Sequence, residues 1–256
     1  MSIDRFNWTF PTKVETTYLK NSVAMTEYDC STYNLKYLVM FFQGTNGAMY
    51  FNSTFVYGPQ KVGGVGTSYY PSATQFYKDD SIYVFHHGKD PAAYALWDSI
   101  FVTCIGTDNC VYWLKTQDGK NWTYPIKISN ETTDCGPTLC NNSNTLVCFI
   151  KGQGGILKMS TFDRSLNSWS EFTTPTYYWA YKGGYVPINL DTAPTSVYLP
   201  NGKVMVLWQD PSDDNYITYS TFDGKSWALP VVVGTGTYEK TPYPVDSVFP
   251  KLSNIL

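Results

Sequence analysis

The chain has 256 residues, a formal net charge of −3, 15% charged residues and 17% aromatics, among them 22 Tyr, 14 Phe and 8 Trp. An average domain carries about 25% charged residues, so this chain is neither a charge-rich coiled coil or helical bundle nor a disordered tail. With 18 Lys+Arg against 21 Asp+Glu and no basic run, it is not a nucleic-acid binder held by phosphate contacts.

At the N-terminus, Met1–Arg5 opens no apolar segment of the kind a signal peptide needs, so a cytoplasmic or non-classically secreted protein is expected. The longest apolar stretch, Tyr37–Phe42, falls far short of the roughly 18 residues that span a bilayer. Arg5–Pro11 reads as an outer strand that stops at its proline.

A repeated phrase then runs along the chain. Its first copy has Ser22-Val23-Ala24, the apolar run Tyr37–Gly44, the tip Thr45-Asn46-Gly47 and a strand from Ala48 to Phe55. A partial copy follows, with Pro71-Ser72-Ala73 and Ser81–Gly88. A fuller one runs from Pro91 through Ser99–Gly106 and the tip Thr107-Asp108-Asn109 to Val111–Trp122. Another runs from Pro137 through Thr145–Gly152 and Ile156–Asp163 to Trp169. The last complete copy runs from Ala193 through Gly202–Gln209 to Tyr216–Trp227, and Pro244–Val248 resembles a further first strand.

Each copy parses into four strands. The first is short and follows a proline. The second is apolar without alternation, as a strand buried on both faces must be. The third alternates after a tight polar turn. The fourth carries Trp. First strands begin near 23, 72 or 92, 138, 195 and 246. These intervals suit an all-β chain folded as a β-propeller of four-stranded antiparallel blades, one domain over residues 1–256. Five blades are favoured and six are possible. The ring is expected to close through both termini, with Arg5–Pro11 completing the blade begun at Asp246.

The six cysteines, Cys30, Cys104, Cys110, Cys135, Cys140 and Cys148, form no C-x-x-C motif, and the only histidines are the adjacent His86 and His87. A structural metal site is therefore not expected, nor is any cofactor. Cys135 with Cys140, or Cys104 with Cys110, could bond across a hairpin; the alternative is free thiols buried in strands. Nucleophilic hydrolysis by Ser or Cys lacks a suitably placed His.

The phrase Thr-x-Asp-Gly-Lys-x-Trp occurs at Thr116–Trp122 and Thr221–Trp227, with a looser form at Thr161–Trp169. Asp caps such a turn through backbone N–H groups, Gly takes a positive φ and Trp packs back between blades. The phrase resembles the Asp-box turn of sialidase-type propellers, one residue shorter, and the longer phrase Asn215–Trp227 is similar to the repeats of bacterial and fungal propeller lectins. The likeness extends over about residues 20–232. It implies a propeller fold with structural Asp and Gly residues at the turns.

The resemblance raises three functions. Sialidases hold the substrate carboxylate with three arginines, and this chain has only Arg5 and Arg164. A five-bladed glycoside hydrolase would place carboxylates on inner strands at the funnel centre. Its candidates are Glu27, Asp29, Asp134, Asp191 and Asp246, with Glu27 the one that breaks the repeat; Asp134 and Asp191 occupy equivalent places in two copies. A protein-interaction scaffold of WD type has only the dipeptide Trp97-Asp98 in its favour.

The favoured expectation is a lectin that binds glycans at repeated shallow sites between blades or on the loop face, with homo-oligomerisation possible. Its candidate ligand-binding residues are Tyr178, Trp179, Tyr181 and Tyr185 in an aromatic loop, with Trp97, Tyr94, Tyr69 and Tyr70 elsewhere.

Overall fold

Every apolar run found in the sequence becomes the second strand of an antiparallel sheet. The computed structural model describes residues 19–233 except 31–34, 54–55, 67–70, 77, 80, 86–88, 143–144 and 212–216. The first four-stranded sheet is β1 (Leu19–Cys30), β2 (Leu35–Gly44), β3 (Ala48–Ser53) and β4 (Val56–Gly66), in that order. A two-stranded hairpin follows, β5 (Ser72–Phe76) and β6 (Ser81–Phe85). The second four-stranded sheet holds β7 (Lys89–Leu96), β8 (Ser99–Ile105), β9 (Cys110–Thr116) and β10 (Ile126–Thr132). The third holds β11 (Thr138–Asn142), β12 (Thr145–Lys151), β13 (Leu157–Asp163) and β14 (Ser168–Trp169). A second hairpin, β15 (Thr176–Trp179) and β16 (Gly184–Pro187), leads to the fourth sheet: β17 (Thr195–Tyr198), β18 (Val204–Gln209), β19 (Ile217–Phe222) and β20 (Val231–Val232). Both segments that competed for one first strand, near 72 and 92, begin sheets of their own. The expected closing strands, Arg5–Pro11 and the segment at Asp246, lie outside the described residues.

The sheets stack face against face, each interface filled by side chains from both neighbours. Ala24, Val39 and Phe41 of the first sheet meet Ala73, Ile82 and Val84 of the hairpin. Phe76 of that hairpin meets Ile100 and Val102. Phe101, Val111 and Trp113 meet Leu146, Cys148 and Ile150. Val147 and Phe149 meet Val204, Val206 and Trp208. Successive residues of β12 thus enter opposite interfaces, which is why its sequence has no polar alternation.

The inner strands lie side by side and are laced by side chains, since the sheet edges would otherwise leave backbone groups unpaired. The Asp29 N–H donates to Gln75 Oε1 at 2.8 Å and Gln75 Nε2 donates back to the Asp29 carbonyl at 2.9 Å, joining β1 to β5. The N–H groups of Ala93 and Ala95 donate to Ser72 Oγ (2.9 Å) and Thr74 Oγ1 (3.1 Å), joining β5 to β7. The Ser196 N–H donates to Thr138 Oγ1 at 3.3 Å, joining β17 to β11.

The Asp turns form as the sequence implies. Asp118 Oδ1 accepts from the N–H groups of Lys120 (2.9 Å) and Asn121 (2.8 Å), with Gly119 at φ +71°. Asp223 accepts from Lys225 (2.9 Å) and Ser226 (2.8 Å), with Gly224 at φ +94°. Asp163 accepts from Ser165 (2.8 Å) and Leu166 (3.1 Å). One detail differs from expectation. Trp122 and Trp227 precede the fourth strands, in single bridges to Thr116 and Phe222, while β10 and β20 begin only after Pro125 and Pro230. A proline has no N–H for the ladder, so regular pairing starts beyond it.

Three hairpin tips, two between second and third strands and one between β5 and β6, share a second device. Asn46 Nδ2 donates to the Tyr50 hydroxyl at 2.9 Å, and the hydroxyls of Tyr83 and Tyr112 donate to Asp79 (2.6 Å) and Asp108 (3.1 Å). At two of these tips the ring covers the glycine six residues upstream. A Cβ on Gly44 would stand 2.7 Å from the Tyr50 ring, and one on Gly106 would stand 2.5 Å from the Tyr112 ring.

Candidate functional site

The aromatic segment expected as a loop is a β-hairpin. Tyr and Trp favour the extended backbone, and Gly183 in the left-handed region at φ +63° lets the tip, Ala180–Lys182, reverse the chain. The register pairs Tyr178 with Tyr185 and Thr176 with Pro187, so these four share one face, and all four are exposed. Tyr178 is 56% and Tyr185 74% accessible, their rings 5.5 Å apart at 69°. Tyr181, at the tip, is 96% accessible. On the other face Tyr177 packs into the interface between the third and fourth sheets and bridges Trp227. Burial, and then the Asp210 carboxylate, raise the Tyr177 phenol above its usual range. Trp179 lies under Lys182, whose Nζ is 4.7 Å from the ring centre. The three-residue spacing from Trp179 to Lys182 is the sequence signal of this cation contact.

The other candidates lie apart from this face. Tyr94 is half-buried between sheets, and its hydroxyl donates to Asn141 Oδ1 at 3.0 Å. Trp97 sits in the β7–β8 turn at φ +56°, against Phe101 and Phe162, with the Arg164 guanidinium 5.0 Å above its ring. Tyr69, Tyr70 and Asp246 lie outside the described residues, as do His86 and His87.

Among the carboxylates, Asp134 is paired with Lys151 at 3.1 Å, and the same ammonium donates to the Asp191 carbonyl at 3.1 Å. Burial pushes the Asp134 carboxyl up, but the lysine outweighs it and holds the group below its usual range. A general acid needs the opposite shift. Lys151 therefore clamps the two equivalent positions at the entries of successive sheets. Glu27 is exposed on β1, opposite Leu38. Among the described residues no group of three or more His, Cys, Asp or Glu side chains is placed to hold a metal, and no helix is long and apolar enough to cross a membrane. Cys104, Cys110, Cys135, Cys140 and Cys148 are free thiols.

No protein-family model matches the sequence, and no curated protein matches it. Solved structures do. The fold is similar to the BP39L lectin of Burkholderia pseudomallei, with TM-score 0.60 and 13% identity over 85% of this chain and 71% of that one. It is similar to AofleA of Arthrobotrys oligospora, with TM-score 0.58 and 14% identity over 87% and 74%. It is also similar to the six-bladed fucose-recognising lectin of Aleuria aurantia, with TM-score 0.54 and 13% identity over 85% and 80%. In another structure of the Aleuria lectin, bound to Fucα1-6GlcNAc, this chain spans 64% of that chain's length at TM-score 0.48. At these identities the likeness is one of fold. The chain is an all-β protein with the propeller arrangement of antiparallel sheets seen in fungal and bacterial lectins.

Proposed function

We propose that this protein is a carbohydrate-binding propeller, a single domain over residues 1–256, and that the exposed face of the β15–β16 hairpin is its principal glycan contact. The observation that carries this reading is the solvent-facing pair Tyr178 and Tyr185, with Tyr181 beyond them and Trp179 under Lys182. Sugars present apolar C–H faces that stack on such rings and hydroxyls that pair with phenols and backbone groups. Monomeric surfaces rarely leave several large aromatics together in water without a use. Trp97, Tyr94, Tyr69 and Tyr70 are proposed as further contacts, at shallow sites between sheets or on the loop face. Several weak sites would combine through avidity on a glycan-coated surface, more so in a homo-oligomer. The propeller lectins of similar fold support the reading, and the fucose recognised by the Aleuria lectin makes fucosylated glycans the first probes. The Asp turns support kinship with the sialidase-type repeat superfamily, without sialidase chemistry.

A glycan array probed with folded protein tests the proposal. Binding to a discrete set of glycans, displaced by the free sugar, is expected. No signal at any glycan contradicts it.

A further inference from the structure

Two of the interfaces between sheets pair a second-strand phenylalanine with an indole from the next sheet, and a third has the phenylalanine alone. Phe41, Phe85 and Phe149 occupy the same place in three second strands, each three residues before a glycine (Gly44, Gly88, Gly152). Trp122 of the second sheet meets Phe85 of the preceding hairpin edge-on, with ring centres 5.6 Å apart at 83°. Trp227 of the fourth sheet meets Phe149 of the third in the same way, 5.8 Å apart at 84°. Each indole arrives from the segment between the third and fourth strands of the following sheet.

Phe41 has no such partner sheet. The element that follows the first sheet is the hairpin β5–β6, which has no third strand among the described residues, and residues 71–88 carry no Asp-Gly-Lys-x-Trp phrase. A solvent-open pocket of about 260 Å³ lies against Phe41 instead. Phe41, Phe51, Tyr28, Tyr37, Ile82 and Ser53 line it. Tyr28 and Tyr37 stack at 6.2 Å and 17°, and Phe41 and Phe51 lie 6.1 Å apart at 35°. The lining is almost wholly carbon, so a charged ligand would lose its hydration there without compensation.

We propose that this pocket binds a small, uncharged, planar aromatic molecule of indole size, seated edge-on to Phe41 in the position that Trp122 and Trp227 take against their own phenylalanines. An enclosed engineered cavity of about 150 Å³ in another protein, lined by apolar side chains, binds benzene; this pocket is open to solvent but larger, with room for a fused pair of rings that keeps one edge in water. The site is separate from the aromatic hairpin and does not depend on its binding glycans.

The test is fluorine NMR of 5-fluoroindole titrated with the whole protein. Wild type is expected to give a saturable shift or broadening. Phe51→Trp, which fills the pocket with a protein indole, is expected to weaken binding at least tenfold. Ile82→Trp fills it from the opposite wall and serves if the first variant does not fold by near-UV circular dichroism. Tyr181→Ala is expected to bind as wild type does. Folded wild type that shows no saturable binding up to the solubility of the ligand overturns the proposal, because the wedge is then closed by the chain itself. Filled variants that bind as well as wild type overturn it too, because the ligand then sits elsewhere.

Discussion

Trp169→Ala separates the aromatics that build the fold from those offered to a ligand. Trp169 is 9% exposed and its ring lies 5.5 Å from Phe162 at 65°, in the cluster that also holds Phe101 and Trp113. Deleting a buried Trp side chain costs about 3–5 kcal/mol through lost burial and the cavity left behind. The indole Nε1 has no hydrogen-bond partner among the described residues, so removing it returns about 1 kcal/mol of desolvation cost. The net loss expected is about 3 kcal/mol, a fall of about 6–12 °C in melting temperature for a domain of this size. Tyr181→Ala, at a position 96% exposed, is the control and should stay within about 0.5 kcal/mol of wild type. Thermal and urea unfolding followed by circular dichroism read both. A Trp169→Ala protein melting within about 2 °C of wild type would refute the view that these indoles hold adjacent sheets together.

Further outcomes are expected from the same geometry. The Asp118 carboxyl is held well below its usual range by the N–H groups of Asn121 and Lys120 and the Asn121 side chain. Its unfolded value is about 3.9, so the folded state binds fewer protons there. The stabilisation is complete above about pH 4 and is lost as pH falls toward the depressed folded value; Asp118→Asn should flatten acid unfolding measured by circular dichroism. Burial pushes the Cys140 thiol up to about 12 and raises Cys148 further, so neither should react with a thiol reagent at neutral pH until the protein unfolds. Gly119→Ala should destabilise by more than about 1 kcal/mol, since Gly119 sits at φ +71° and its new Cβ would run into the Tyr83 hydroxyl; urea unfolding checks it.

Much of the architecture was written in local pattern. The run Leu146–Ile150 announces a strand buried on both faces, and the structure sends its alternate residues into two interfaces. The Asp-Gly phrases announce their turns because the capping groups are neighbours in sequence. What the sequence leaves open depends on distant partners. Nothing local says that Tyr94 hydrogen-bonds to Asn141, that Lys151 spans Asp134 and Asp191, or that Arg164 covers Trp97. The aromatic segment was legible as exposed and unusual, yet it read as a loop because a hairpin of four-residue strands between two repeats has no counterpart in the phrase. The pocket beside Phe41 is visible only once the truncated second repeat is seen to bring no indole.

Glycan recognition by this protein rests on whether Tyr178 and Tyr185 hold a sugar. Calorimetric titration of the best array glycan into wild type and the Tyr178→Ala, Tyr185→Ala double variant measures this directly. Saturable binding by wild type, weakened at least about tenfold, or 1.4 kcal/mol, in a variant of unchanged melting temperature is the result predicted. Equal affinity in the two proteins would contradict it.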